Sequence, residues 1–395
     1  MLSCGGGDAA PSLSVVRVRQ LSLLVVIAFV AACSDSDGAT GAESSVETPA
    51  ASPFLDLIPT ARWQQLGDDN FEVWVCHVPA GATATIYGGL PLRLDLTPAD
   101  VIKAASGPVS GYFEELSHNK YRPVFTVGGE LTMGVDDEPH VCIDRAIAAA
   151  GPDTEAVLVV ADAEHGADQK GGFGSGGASC ALTDPCPVGQ SRRFAYVGAS
   201  DFHPDWGDAP PMDLVEHEIG HTLGWPHSGV EADGRYLSAL DLMSNSAAPR
   251  EMDSARRDGP GTLAVNMLIS GWIPPTDAWV APPEGGAVTL TPSASAAGTR
   301  LAILPLDGGS FLTVELLVND GLDAHLPTAG IAVHEVRVAD DELQPIKPLL
   351  GEPPYTSLLQ PGEVLDNSGW IITVTAEWSL SVAPHPPSDA VASLP

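Results

Sequence analysis

The chemistry in this chain is concentrated in one stretch, His217-Glu218-Ile219-Gly220-His221-Thr222-Leu223-Gly224-Trp225-Pro226-His227. Two histidines four apart on a helix sit one turn apart and about 40° from each other around the axis. The imidazoles of His217 and His221 can therefore reach one point. Zinc takes imidazole nitrogen at roughly 2.0–2.1 Å in tetrahedral geometry, and a catalytic site keeps one position open for water. Glu218, beside the first ligand, projects toward that open side and suits a general base. Gly224 tolerates positive φ, so the helix can stop and the chain can swing back. Pro226 forbids helix continuation, and His227 then arrives as a third ligand. Three ligands, a base and a helix breaker in one run argue against a solvated helix with incidental histidines.

The string fits H-E-x-x-H-x-x-G-x-x-H, and the chain resembles the metzincin clan of zinc endopeptidases. That resemblance implies one catalytic zinc on His217, His221 and His227, with Glu218 activating a zinc-bound water. It also implies a methionine turn beneath the metal. Leu240-Asp241-Leu242-Met243-Ser244 stands at a suitable distance, so Met243 is expected to support the histidine rings without binding the metal. A single methionine is more often core filler, but the histidines ahead of this one favour the turn. Asn245 lies two after the methionine, where astacins and serralysins carry a metal-touching tyrosine, and that departure excludes their pattern. Transition-state stabilisation then falls to the zinc or to another hydrogen-bond donor such as Tyr236 or His203, and nothing in their spacing singles either out.

The elements that must position this stretch can be read on either side of it. Phe71 to Val78 alternates and stops at Pro79, as a strand does. Thr97-Pro98-Ala99-Asp100 opens one helix predicted to run to about Leu116. Tyr121 to Met133 reads as one or two strands, Pro139 opens a helix ended by Gly151, and Glu155 to Ala161 is a buried strand. Strands alternating with helices indicate an α/β layer, in an order similar to the upper subdomain of a metzincin. The glycine-rich run Gly166 to Cys186 lacks the ending of a phosphate loop and reads as a surface loop at the cleft rim. Phe194 to Gly198 is a short strand. The resemblance implies that a strand ahead of the active-site helix pairs with extended substrate, and which strand does so stays open. Pro210-Pro211 is expected to start the active-site helix, with Asp208 as cap and Asp213 favourable at the N-terminal dipole.

Beyond Pro274-Pro275 and Pro282-Pro283, short alternating stretches indicate an all-β module. The expected fold class is α+β: a metzincin-like catalytic domain (54–275), a twisted sheet with an active-site helix, followed by a β-rich sandwich-like C-terminal domain (276–395). Ser270-Gly271-Trp272, Gly309 to Glu315 and Gly330 to Val336 also resemble the segment after the zinc site in immune inhibitor A-like and gametolysin-like peptidases. Immune inhibitor A-type enzymes usually end the zinc motif in aspartate, where His227 stands here.

At 395 residues with 44% hydrophobic and 17% charged residues, the chain can bury a sizeable core. A net charge of −33 excludes nucleic acid as a partner, favours solubility, and is compatible with structural calcium. Arg17 and Arg19 precede an apolar run from Leu21 to Val30, too short to span a bilayer, and Val30-Ala31-Ala32-Cys33 resembles a bacterial lipobox. Residues 1–33 are therefore expected to be a lipoprotein signal with Cys33 lipidated, and 34–53 a flexible tether. The expected address is the bacterial envelope, at the outer membrane or cell surface, with secretion as the other reading. Cys76, Cys142, Cys180 and Cys186 allow three pairings. The favoured pairs are Cys180 with Cys186 and Cys76 with Cys142.

The expected function is a monomeric zinc-dependent metalloendopeptidase acting on protein or peptide substrates outside the cell, touching the membrane only through its lipid. The competing reading is a non-proteolytic binding or adhesion lipoprotein with a metzincin-like fold. An intact Glu218 weighs against it, because a purely structural zinc has no use for a base.

Overall fold

In the computed structural model, the alternating stretch around Phe71 lies inside a five-stranded sheet. The structure describes residues 53–385, apart from 81–84, 87–89, 92, 164–171, 176–191, 208, 233 and 368. Cys33, Cys180, Cys186 and Asp208 thus lie outside the described residues. A short helix α1 (Thr60–Trp63) precedes strand β1 (Gly67–His77), and a small pair, β2 (Thr85–Ile86) with β3 (Leu90–Pro91), follows it. Thr97 then caps helix α2 (Pro98–Ala105): its hydroxyl accepts from the Asp100 N–H, and the Asp100 carboxylate accepts from the Thr97 N–H. The single helix expected to reach Leu116 is broken here, into α2 and α3 (Pro108–Ser117). Pro108 cannot donate to the preceding turn and its ring crowds that turn, so a new helix starts with proline in its first turn.

Strand β4 (Tyr121–Thr132), helix α4 (Pro139–Ala149), and strands β5 (Ala156–Ala161), β6 (Gly172–Ser175) and β7 (Arg193–Val197) complete this layer. The strand order is β4-β1-β5-β7-β6, parallel throughout except β6, which runs antiparallel to β7. Helices cover both faces, as parallel strands joined by crossovers require. Phe71, Val73, Val75, Leu158 and Val160 face one core shared with α2 and α3, and Trp74, Cys76, Val157 and Val159 face another with α4. A disulfide joins Cys76 to Cys142 across the second core.

After helices α5 (Asp213–Thr222), α6 (Ala248–Met252) and α7 (Ala264–Ile269) the chain becomes β-rich. It forms β8 (Ala278–Val280), β9 (Gly286–Thr289), β10 (Leu301–Pro305), β11 (Ser310–Leu317), β12 (Gly330–Ala339), β13 (Glu342–Leu343), β14 (Lys347–Pro348), β15 (Val364–Asn367), β16 (Trp370–Val374) and β17 (Ser379–Pro384). One sheet runs β13-β12-β11-β10-β8 with β14 also on β12, and a second runs β15-β16-β17-β9. Ala302, Leu304, Leu312, Val314 and Val333 pack with Ile372, Val374, Leu380 and Val382 between the two sheets. Strand alternation sends the neighbouring residues to the opposite face. Leu301, Ile303, Phe311 and Val336 accordingly join the core of α3, α5 and α7. The larger sheet is covered on both sides, and the β-rich part shares a core with the helices that precede it.

Two carboxyls are sealed under that shared face. Glu315 accepts from the Ala264 N–H at 3.1 Å, and Asp323 accepts from the Gly261 N–H at 2.9 Å. Burial pushes Glu315 up to about 8 and Asp323 up to about 7. Both ionise near pH 4 in an unfolded chain. Because their folded pKa values are raised, their stability contribution is complete below about pH 4 and is lost as pH rises toward 7–8. Thermal melts of the parent should therefore fall relative to Glu315→Gln by about 2 °C per pH unit between roughly pH 6 and 8. A gap that does not change with pH would contradict this assignment.

Candidate metal centre

The stretch His217 to His221 lies on α5, whose first residue is Asp213 and not a proline. Met212 stands at the N-cap without a side-chain cap bond. Asp213 instead turns to the Arg250 guanidinium at 3.1 Å and the Ser246 hydroxyl at 3.2 Å, so the helix start is tied to the segment after the methionine. The helix ends at Thr222, and the chain turns away at Gly224, whose φ of +80° suits glycine. A side chain there would also collide with the Trp63 ring, which packs on this turn from α1. Gly220 is required by proximity: a Cβ would meet the Met243 sulfur and Trp225. Met243 is fully buried and packs under the helix between the turns that carry His217 and His221.

The structure brings His217, His221 and His227 together, with one ligand-capable nitrogen from each within 4.8 Å of the others. They form the one such cluster among the described residues. The Nδ1 of His217 lies 2.7 Å from the Leu242 carbonyl, and that of His221 lies 2.9 Å from the Trp225 carbonyl. A carbonyl only accepts, so each Nδ1 carries the proton and each Nε2 is left as a lone pair. Outer partners of this kind orient metal-binding histidines. The Nε2 atoms of His221 and His227 are 2.9 Å apart, and two lone pairs at that distance need a cation or a proton between them. Three converging imidazoles with one quarter left over fit zinc.

Burial keeps His217 and His221 uncharged. The pKa of His217 is held well below its usual value by burial and then by the neighbouring His221 and His227, and burial brings His221 down to about 4. Neutral rings are the metal-binding form. Glu218 follows His217 on the same helix and is 3% exposed. Leu242 and Met243 place two backbone carbonyls on the site, one toward His217 and one accepting the Ser228 N–H at 3.0 Å. Asp241 fastens this segment by accepting from the hydroxyls of Ser228 at 2.6 Å and Thr262 at 2.8 Å.

Other expectations change in the fold. His203 accepts the Asp205 N–H in a short turn and does not belong to the histidine cluster. Cys76 and Cys142, the pair expected to bridge, are joined on the sheet face away from α5. The strand nearest before the helix, β7, is interior to the sheet, and the glycine-rich run holds the edge strand β6. α5 packs against both. Tyr236, named from the sequence only as a candidate donor, takes a different place: its ring stacks on His227 at 4.2 Å between centroids and 28° between planes. Asp241, two before the methionine, carried no spacing signal either, since its partners come from distant segments.

No family model and no curated protein matches this chain. Among solved structures it is similar to archaemetzincin from Methanopyrus kandleri, at 14% identity over 51% of this chain and 95% of that one, with a TM-score of 0.27. A likeness that shallow adds nothing to what the histidine geometry says.

Proposed function

We propose that this chain is a zinc-dependent endopeptidase acting on extracellular or envelope proteins. The observation that carries this reading is the convergence of three histidines, two of them locked with Nε2 inward, beside a buried carboxylate on the same helix. Zinc bound there would polarise a scissile carbonyl and lower the pKa of water toward about 7. Glu218 takes the proton of the attacking water and returns it to the leaving amine. Met243 closes the site from below with an apolar, well-packed floor. β6 ends the sheet order, so an extended peptide can add beside it and lie across α5. Export as a lipoprotein attached through Cys33 belongs to the same proposal, as does a monomeric state. Among the described residues no helix is long and apolar enough to cross a membrane.

The test is cleavage of casein by the mature chain before and after zinc is removed with 1,10-phenanthroline. Cutting should stop on removal and return when zinc is added back. Undiminished cutting by zinc-free protein would sink the proposal.

A further inference from the structure

His217 and His221 are held at Nδ1 by carbonyls from the segments around them, and His227 carries the Tyr236 ring against its face. Tyr236 reaches it through a small fold of chain: Val230 and Tyr236 face each other in an antiparallel bridge, Glu231 N–H donates to the Arg235 carbonyl, and Leu237 N–H donates to the Gly229 carbonyl. This fold is fastened from outside. The Ile346 N–H donates to the His227 carbonyl at 2.9 Å, and the Gly229 N–H donates to the Ile346 carbonyl at 3.0 Å. The Tyr355 hydroxyl donates to the Glu231 carboxylate. Ala239 N–H donates to the Pro354 carbonyl at 2.9 Å, and the His325 ring bonds the Ala239 carbonyl at 2.7 Å.

We infer that Tyr236 is a positioning residue for the third metal ligand, and that the C-terminal β-rich part holds it in place through Ile346 and Tyr355. The inference rests on the metal-centre reading above and adds a structural duty for residues beyond 276. An imidazole turns about its side-chain torsions until something fixes its plane, and a stacked ring fixes it without using either nitrogen. The contact is between ring faces, so the ring, and not the phenol oxygen, carries the effect.

Zinc affinity of the mature chain, measured by competition with a chromophoric chelator, tests this. Tyr236→Ala should weaken zinc binding about tenfold or more, in the range expected for lost outer partners of a ligand. Tyr236→Phe keeps the ring and should stay within about twofold of the parent, and Tyr355→Phe should fall between them. With cobalt in place of zinc, the visible absorption bands should change in Tyr236→Ala and not in Tyr236→Phe. Matching melting curves of the metal-free proteins establish that the variants fold, and Tyr236→Leu stands in if Tyr236→Ala does not. Parent-like affinity and spectrum in Tyr236→Ala, or equal losses in both Tyr236 variants, overturn the role. Parent-like affinity in Tyr355→Phe overturns the tie to the C-terminal part. None of these readouts involves cleavage, so a chain that holds zinc and cuts nothing overturns only the proteolytic reading. A parent that binds no zinc overturns both.

Discussion

A Glu218→Ala chain should bind as much zinc as the parent and cleave casein about a thousandfold more slowly, the middle of the range for losing a positioned general base. Glu218 is on the helix that carries two ligands, but it is not one of the three groups that converge. Its removal therefore takes away the proton acceptor and leaves the coordination set alone. It is buried with only 3% of its surface exposed, so the methylene and carboxylate it loses leave a small void and a modest stability change. Zinc content and cleavage have to be measured on the same preparation. Equal zinc with equal cleavage would show that another group carries the proton. Equal zinc with no cleavage by either protein would move the binding-protein reading to first place.

The second large effect concerns the boundary at Pro274-Pro275. A chain ending at residue 275 should be insoluble or unfolded by circular dichroism, and should not bind zinc. Leu301, Ile303, Phe311, Val336, Leu343 and Ile346 belong to the same core as Val215, Ile219, Trp225, Met243 and Trp272. Burying each such side chain is worth roughly 1.5–3 kcal/mol, so losing the β-rich side of this core costs on the order of 10 kcal/mol. That equals the whole stability of a typical domain, about 5–15 kcal/mol. Polar ties go with it: the Arg300 guanidinium donates to the Trp272 carbonyl, and Glu315 accepts at the start of α7. A soluble, folded, zinc-binding fragment ending at 275 would show instead that the β-rich part is an appendage.

Adjacent residues made the centre of this site legible. The spacing of His217 and His221 needs only a helix to act, and Gly224, Pro226 and His227 need only that the helix stop. Both conditions are local, set by periodicity and by backbone freedom at one glycine. The strand at Phe71 and the alternating β-rich stretches were legible from their period of two, and the strand before Ala161 from an unbroken apolar run, since both of its faces are covered. The break between α2 and α3 is local as well, set by Gly107-Pro108, because the proline ring crowds the preceding turn.

Tertiary packing decided the rest. The glycine-rich run carries the edge strand because β7 pairs with β5 on one side and needs a partner on the other, and nothing in Gly172 to Ser175 announces that. Tyr236 gained its place on His227 through bridges among Gly229, Val230 and Leu237, fastened by Ile346 and Tyr355 from more than a hundred residues away. Asp241 joins three segments that only the fold brings near. The sequence by itself determined which atoms can hold a metal and which can take a proton, because those depend on residue type and helical pitch. Only the tertiary structure decided what holds the third histidine and which core the β-rich part completes, because those depend on contacts whose partners are separated by chain that leaves no local trace.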